Sequence, residues 1–181
     1  FGSLGEEPSH PELLGYLAVR FMDQGWSLKK TIRELVLSRA YRMASEHDAD
    51  NYAKDPGNRY FWRMNRRRLS VESWRDALLA ATGVLDNRIG GPSIDPDQPD
   101  ERRRTIYSRA SRLELNKMLS LFDYPDANVH SERRVETTTP LQKLFVMNSP
   151  LMVATADRFA ARVIAESPNN PPRQIDRAYL L

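Results

Sequence analysis

The feature that most constrains this chain is a helix-start signal that recurs along it. A serine or threonine, in two places followed at once by proline, precedes a run of apolar residues spaced three and four apart. Ser27, Ser70, Thr139-Pro140 and Ser149-Pro150 carry it, and Ser9 with Pro11 is a looser version. A hydroxyl at the N-cap accepts a hydrogen bond from an orphaned amide of the first turn, and proline in that turn has no amide to orphan. The apolar spacing behind each signal follows a helix. It runs through Leu13, Leu14, Leu17, Ala18, Phe21 and Met22, then Leu28, Ile32, Leu35, Val36 and Ala40. It returns in Val71, Trp74, Leu78 and Ala81, and in Met152, Thr155, Phe159 and Val163. These positions are expected to face inward. Gly25 and Gly83 read as stops, and Asn169-Asn170-Pro171-Pro172 as a break before a last helix near Arg173. A further helix is expected near residues 111–121, and Thr105-Ile106-Tyr107 is the one candidate strand. The predicted fold is all-α: an irregular bundle of about seven helices with long loops and little or no sheet, one helical domain over 1–181.

Between the helices, residues 44–58 read as a polar surface loop. Residues 60–69 read as a short helix or an irregular ordered segment. Residues 86–103, with Gly90-Gly91-Pro92 and the acidic run from Asp95 to Glu101, read as a long loop open to motion. The chain opens on Phe1-Gly2 and closes on an uncapped apolar pattern from Ile175 to Leu181. Both ends therefore read as cuts in a longer domain.

With no cysteine in the sequence, structural disulfides, thiolate zinc sites, cysteine nucleophiles and Cys-x-x-Cys-His haem attachment are excluded within this chain. No apolar run approaches the roughly 20 residues that span a bilayer. A formal charge of +3 steers partners weakly, so local clusters matter more than the total.

Three clusters are candidates for chemistry. Glu6, Glu7 and His10 could hold a metal or move a proton, although acidic residues ahead of a helix N-terminus are also favoured by its dipole. No metal site is assigned on this evidence. Arg59, Arg63, Arg66, Arg67, Arg68 and Arg75 are interleaved with Tyr60, Phe61, Trp62 and Trp74. A second arginine group follows at 102–112. Arginine forks suit carboxylate, phosphate or sulfate, and aromatics beside them suit bases or sugars. The plainer reading pairs these arginines with the acidic stretches at 46–55 and 95–101 and with helix C-termini, their stems lying over aromatics. The acidic run itself lacks the ligand order of a calcium loop. Scattered His10, His47 and His130, and serines without a Gly-x-Ser-x-Gly setting, assign no nucleophile.

Taken in order, FGSLGEEPSHPELLGYLAVRF at 1–21, GWSLKKTIRELVLSRAYRMAS at 25–45 and DPGNRYFWRMNRRRLSVESWRDALLAATG at 55–83 form a series. GGPS at 90–93, TTTPLQKLFVMNSP at 137–150 and RFAARV at 158–163 complete it. The series resembles the planctomycete-specific domain of unknown function that lies C-terminal in proteins often carrying a planctomycete-type cytochrome c domain. The resemblance implies a periplasmic or secreted parent protein, with haem c held only in an upstream domain and no cofactor in this fragment. It brings no established catalytic residues. The stretches Pro8–Leu14, Asn65-Arg66-Arg67-Arg68-Leu69 and Thr138-Thr139-Pro140-Leu141-Gln142 match its recurring motifs.

The leading expectation is a binding or scaffolding module of an exported multidomain protein. Glu7, His10, Trp62, Arg63, Arg66, Arg67 and Arg68 are its candidate binding residues. Its expected partners are other domains of the parent protein, or an acidic or sulfated polysaccharide. Two alternatives stand beside it. One is part of an enzyme acting on polysaccharide or another anionic substrate, with Glu7, His10 and Arg67 converging in one cleft. The other, less favoured, is a nucleic-acid-binding module.

Overall fold

A computed structural model describes residues 5, 7–131 and 134–181; Glu6, named above, lies outside them. The described residues form eight α-helices and no strand. None of these helices is long and apolar enough to cross a membrane. The chain divides into two compact units, Phe1–Arg67 and Arg68–Leu181.

The first unit holds α1 (Pro11–Asp23), α2 (Leu28–Leu37) and the short α3 (Ala49–Lys54). The N-cap position of α1 is His10, which makes no side-chain cap bond, rather than the expected Ser9. Its end is a Schellman motif. The Gly25 amide reaches Met22 O at 2.9 Å and the Trp26 amide reaches Phe21 O at 2.9 Å. Gly25 takes the required positive φ of 72°, and the Phe21 and Trp26 rings meet edge to face at 5.3 Å, the apolar contact such ends favour. Ser27 then caps α2 as expected. Helices α1 and α2 pair through Glu34, which accepts from Arg20 Nε at 3.2 Å and Gln24 Nε2 at 2.8 Å. These two donors hold the Glu34 carboxyl below its usual range.

The apolar stripes of α1 and α2 do not face inward. Leu13, Leu14, Met22, Leu28, Ile32, Leu35 and Val36 are all exposed, Ile32 to 56%. Leu17 and Phe21 are half-buried. The side-chain hydrogen bonds between the two helices run through Glu34, and most of their apolar residues stay exposed. The region 44–58 is not all loop, because Asp48 caps α3 through Asn51 N. After it, the chain folds around Asn58, the one buried residue among those described in this unit. The Asn58 amide donates to Arg63 O at 2.8 Å and to Asn65 Oδ1 at 3.1 Å, and residues 60–69 are irregular rather than helical.

The second unit holds α4 (Val71–Ala81), α5 (Lys117–Leu121), α6 (Pro140–Asn148), α7 (Pro150–Glu166) and α8 (Pro171–Leu180). Val71, Met118, Leu119 and Leu151 form its buried apolar cluster, with Trp74, Phe122 and Phe145 packed against it. The signals at Ser70, Thr139-Pro140 and Ser149-Pro150 all make their predicted cap bonds, Thr139 as a full capping box with Gln142. Three boundaries differ from expectation. Helix α5 starts only at Lys117, capped by the Asn116 side chain. Residues Thr105–Tyr107 form a single 3-10 turn, not a strand. Helix α8 begins at Pro171, because Asn170 serves as its cap instead of merely ending α7.

On α4 the buried residues are Val71, Arg75 and Leu79. The middle of an otherwise apolar stripe is thus a guanidinium, exposed to only 1%. Arg75 donates to Pro96 O (2.6 Å), Glu101 O (2.7 Å), Arg103 O (2.9 Å) and Thr105 Oγ1 (3.2 Å). Burial pushes its pKa below the usual arginine value, with Asp76, Glu101 and Asp97 opposing that shift. The acidic loop 95–101 is therefore not loose. Pro96 is fully buried, and Arg158 from α7 grips Pro99 O at 2.6 Å and Asp100 at 2.8 Å. At Gly91, where φ is +94°, an added Cβ would lie 3.3 Å from Arg103 Nη1; Arg103 itself holds Pro92 O at 2.7 Å and also bonds Gly90 O.

Candidate binding cleft

Two of the motif stretches meet in the second unit. Arg68 precedes α4, and Gln142 sits in the first turn of α6. Arg68 Nη1 donates to Thr137 O and, at 3.3 Å, to Gln142 Oε1. It lies 3.6 Å from Asp123 Oδ2 and 5.6 Å over the Phe122 ring. Gln142 Nε2 donates to Leu121 O at 2.9 Å and Thr137 Oγ1 at 3.2 Å. Asp123 accepts from Thr137 N at 2.9 Å and Thr137 Oγ1 at 2.7 Å.

Asp123 occupies the position where a helix end favours glycine. Tyr124 N reaches Leu119 O at 3.0 Å and Asp123 N reaches Ser120 O at 3.3 Å, a Schellman end for α5 with Asp123 at φ +63°. A non-glycine residue there carries strain on the order of 1 kcal/mol. The carboxylate compensates by joining α5 to the strand of chain before α6. Burial pushes its pKa up, but the Thr137 amide and hydroxyl, Arg68 and Gln142 together hold it below the usual carboxylate range.

Beside this polar knot opens a cavity of about 460 Å³. Leu69, Val71, Trp74, Phe122, Val146 and Met147 line it, and Arg68, Lys143, Thr138 and Thr139 stand with them. Trp74 stacks on Phe122 at 4.9 Å, and Phe145 meets Phe122 edge to face at 5.5 Å. Leu69 and Met147 are exposed. The result is an apolar depression with a rigid aromatic wall and a cationic edge.

A second cavity, of about 580 Å³, lies among Glu72, Asp76, Arg104, Thr105, Tyr124 and Arg134. Its carboxylates are already engaged. Glu72 accepts both Arg134 Nη1 and Nη2 at 2.7 Å. Burial pushes the Glu72 pKa up, but Arg134 outweighs it and keeps the group ionised below its usual range. Asp76 accepts Thr105 N at 2.7 Å and Thr105 Oγ1 at 2.6 Å. A general acid must hold a proton near neutral pH, and Glu72 is pushed the opposite way.

The other candidate residues lie in the first unit. His10 stacks on Phe61 at 5.3 Å and meets Tyr60 edge to face at 6.4 Å, with Ser9 Oγ 2.9 Å from its Nδ1. Glu7 is exposed. Arg63 lies over Trp62 at 4.7 Å, and Trp62 Nε1 donates to Asp55 O at 2.9 Å. Arg66 and Arg67 are exposed, and no hydrogen bond among the described residues joins Glu7, His10 and Arg67. The arginine series is therefore not one surface. Arg75 is interior, Arg68 belongs to the knot and Arg63 covers a ring. Among the described residues no group of three or more His, Asp or Glu side chains converges as a metal site.

The sequence reading did not single out Asp123, Thr137, Lys143 or Phe122. An aspartate one residue past an apolar helical run, where glycine is expected, was the signal available for Asp123. No curated protein and no solved structure matches the chain. One family model does, over residues 1–181, and its description is a protein of unknown function. On that match, the chain belongs to the PSD1 family of proteins of unknown function (DUF1553).

Proposed function

We propose that this chain is a binding or scaffolding module of an exported multidomain protein, and that the Trp74–Phe122 cleft is its contact site. The order of motif stretches supports the wider setting, a planctomycete-type parent protein that carries a cytochrome c domain elsewhere. The observation that carries the contact site is the cleft itself: an apolar hollow walled by stacked Trp74 and Phe122 and edged by Lys143. Such a hollow accepts an apolar side chain as an anchor, with the rim selecting what surrounds it. Lys143, exposed at the rim, favours an anchor flanked by carboxylates. The occupant is therefore an apolar, acidic segment of another domain of the parent protein.

The test is calorimetric titration of the chain with the remaining domains of its parent. Met147→Glu and Lys143→Glu, both at exposed positions, should each weaken binding by about tenfold or more. Unchanged affinity in both variants would refute the assignment.

A second reading rests on Arg66 and Arg67, which are exposed beside the aromatic segment 60–62. They suit an acidic or sulfated polysaccharide. Binding to a sulfated glycan that is lost in Arg66→Ala and Arg67→Ala, while cleft variants leave it intact, would favour that reading over the first.

A further inference from the structure

The first unit presents a problem that the cleft does not address. Among its described residues only Asn58 is buried, and Asn58 is polar. Ordering a residue costs about 1–2 kcal/mol of backbone entropy, and apolar burial is the main term that offsets it. Here that term is nearly missing, although the residues that would supply it are present. Leu13, Leu14 and Met22 of α1, and Leu28, Ile32, Leu35 and Val36 of α2, all face solvent. Covering a Leu or Ile side chain is worth about 1.5–3 kcal/mol when complete. Patches of this kind mark interaction surfaces.

We infer that the exposed apolar face of α1 and α2 is the seat of a partner helix with an apolar stripe and acidic flanks. Two neighbouring helices present ridges three and four residues apart, and a third helix packs into such ridges. Charge selects the flanks. With about 100° between successive residues, Lys29 and Arg33 of α2 fall along the edge of its apolar stripe beside Val36, and no carboxylate lies in the first turn. Neither forms an ion pair among the described residues. Its single acid, Glu34, is already held by Arg20 and Gln24. The acids of α1, Glu12 and Asp23, stand at its two ends. The uncompensated charge beside the apolar stripe is thus positive. A second copy of this chain fits poorly, because a two-fold pairing through α2 brings the same basic edge, Lys29 and Arg33, from both copies to one seam. An acidic partner neutralises them. This inference is independent of the cleft in the second unit.

The test uses the whole chain and two synthetic amphipathic helices that share a leucine stripe. One is flanked by glutamates and the other by lysines. The glutamate peptide should bind saturably, weaken several-fold in high salt, and bind at least about tenfold more tightly than its lysine twin. Ile32→Glu and Leu35→Glu should abolish that binding. Lys29→Glu combined with Arg33→Glu should reverse the preference toward the lysine peptide, a swap that loss of folding cannot imitate. Four results would overturn the inference: equal binding of both peptides, binding that survives Ile32→Glu and Leu35→Glu, sedimentation of the chain alone as a dimer that those two variants dissociate, or no binding of either peptide.

Discussion

Helices α2 and α4 start from the same signal. Ser27 and Ser70 each accept an amide of the first turn, and each helix then repeats apolar residues at helical spacing. Yet α4 buries Val71, Arg75 and Leu79, while α2 buries nothing. The contrast extends to the two units around them. One closes an apolar cluster on Leu119 and Leu151 and threads a loop over Arg75. The other holds its two longer helices together through Glu34 and leaves most of its leucines exposed. Local patterning decides that a segment is a helix. What lies across from it decides whether that helix has a core.

The sharpest way to break this contrast is at Arg75. Its replacement by methionine keeps bulk but removes four hydrogen bonds, three of them to loop carbonyls that then lack a donor. The cost should be about 4 kcal/mol, read by urea unfolding with amide resonances of each unit followed separately. Next comes a matched pair of truncations. Leu119→Ala should cost about 3 kcal/mol, whereas Ile32→Ala, at a solvent-facing position, should cost less than about 0.5 kcal/mol. Equal costs would erase the distinction between the units.

Asp123 sharpens it further. Asp123→Gly relieves the φ +63° backbone but removes the acceptors of Thr137, so the net change should be a loss of about 1–2 kcal/mol. A gain would mean that the backbone strain outweighs the knot. Acid should act on the same unit. The Asp123 and Glu72 carboxyls sit below their usual values in the folded chain. Their stabilisation is complete above the unfolded carboxyl values near about 4 and is lost as pH falls through the lower folded values. Stability of the second unit should be flat above about pH 5 and decline below about pH 4, and Asp123→Asn with Glu72→Gln should flatten that decline. Two glycines should act with opposite signs. Gly91→Ala meets Arg103 at a positive φ and should cost about 1–2 kcal/mol. Gly15→Ala lies in the interior of α1 with open space around it and should stabilise the first unit by about 0.5–1 kcal/mol.

Much of the local architecture was legible in the residues. The caps at Ser27, Ser70, Thr139 and Ser149 are decided within four residues, and the structure keeps each one. Helix α3 was missed because its six residues are too few for a periodic signal. The turn at Thr105–Tyr107 was read as a strand because β-branched and aromatic residues favour strands, but Thr105 is held from α4 by Arg75 and Asp76. Burial was the least legible quantity. The spacing of Ile32 and Leu35 is as amphipathic as that of Leu151 and Thr155, and only non-local packing separates them. Arg75 shows the reverse case. It was grouped with surface arginines, although its four-residue spacing from Val71 and Leu79 placed it on the apolar stripe. The knot of Arg68, Asp123, Thr137 and Gln142 spans 74 residues, beyond the reach of any short motif, though two of the motif stretches each contribute one of its members.

The most direct measurement is residue-resolved hydrogen exchange on the chain alone under native conditions. Amides of α1 and α2 should exchange with little protection, while those of α4 and α7 should be slower by at least about a hundredfold and approach the limit set by global unfolding. Protection in α1 and α2 equal to that in α7 would contradict the claim that the first unit lacks a core of its own.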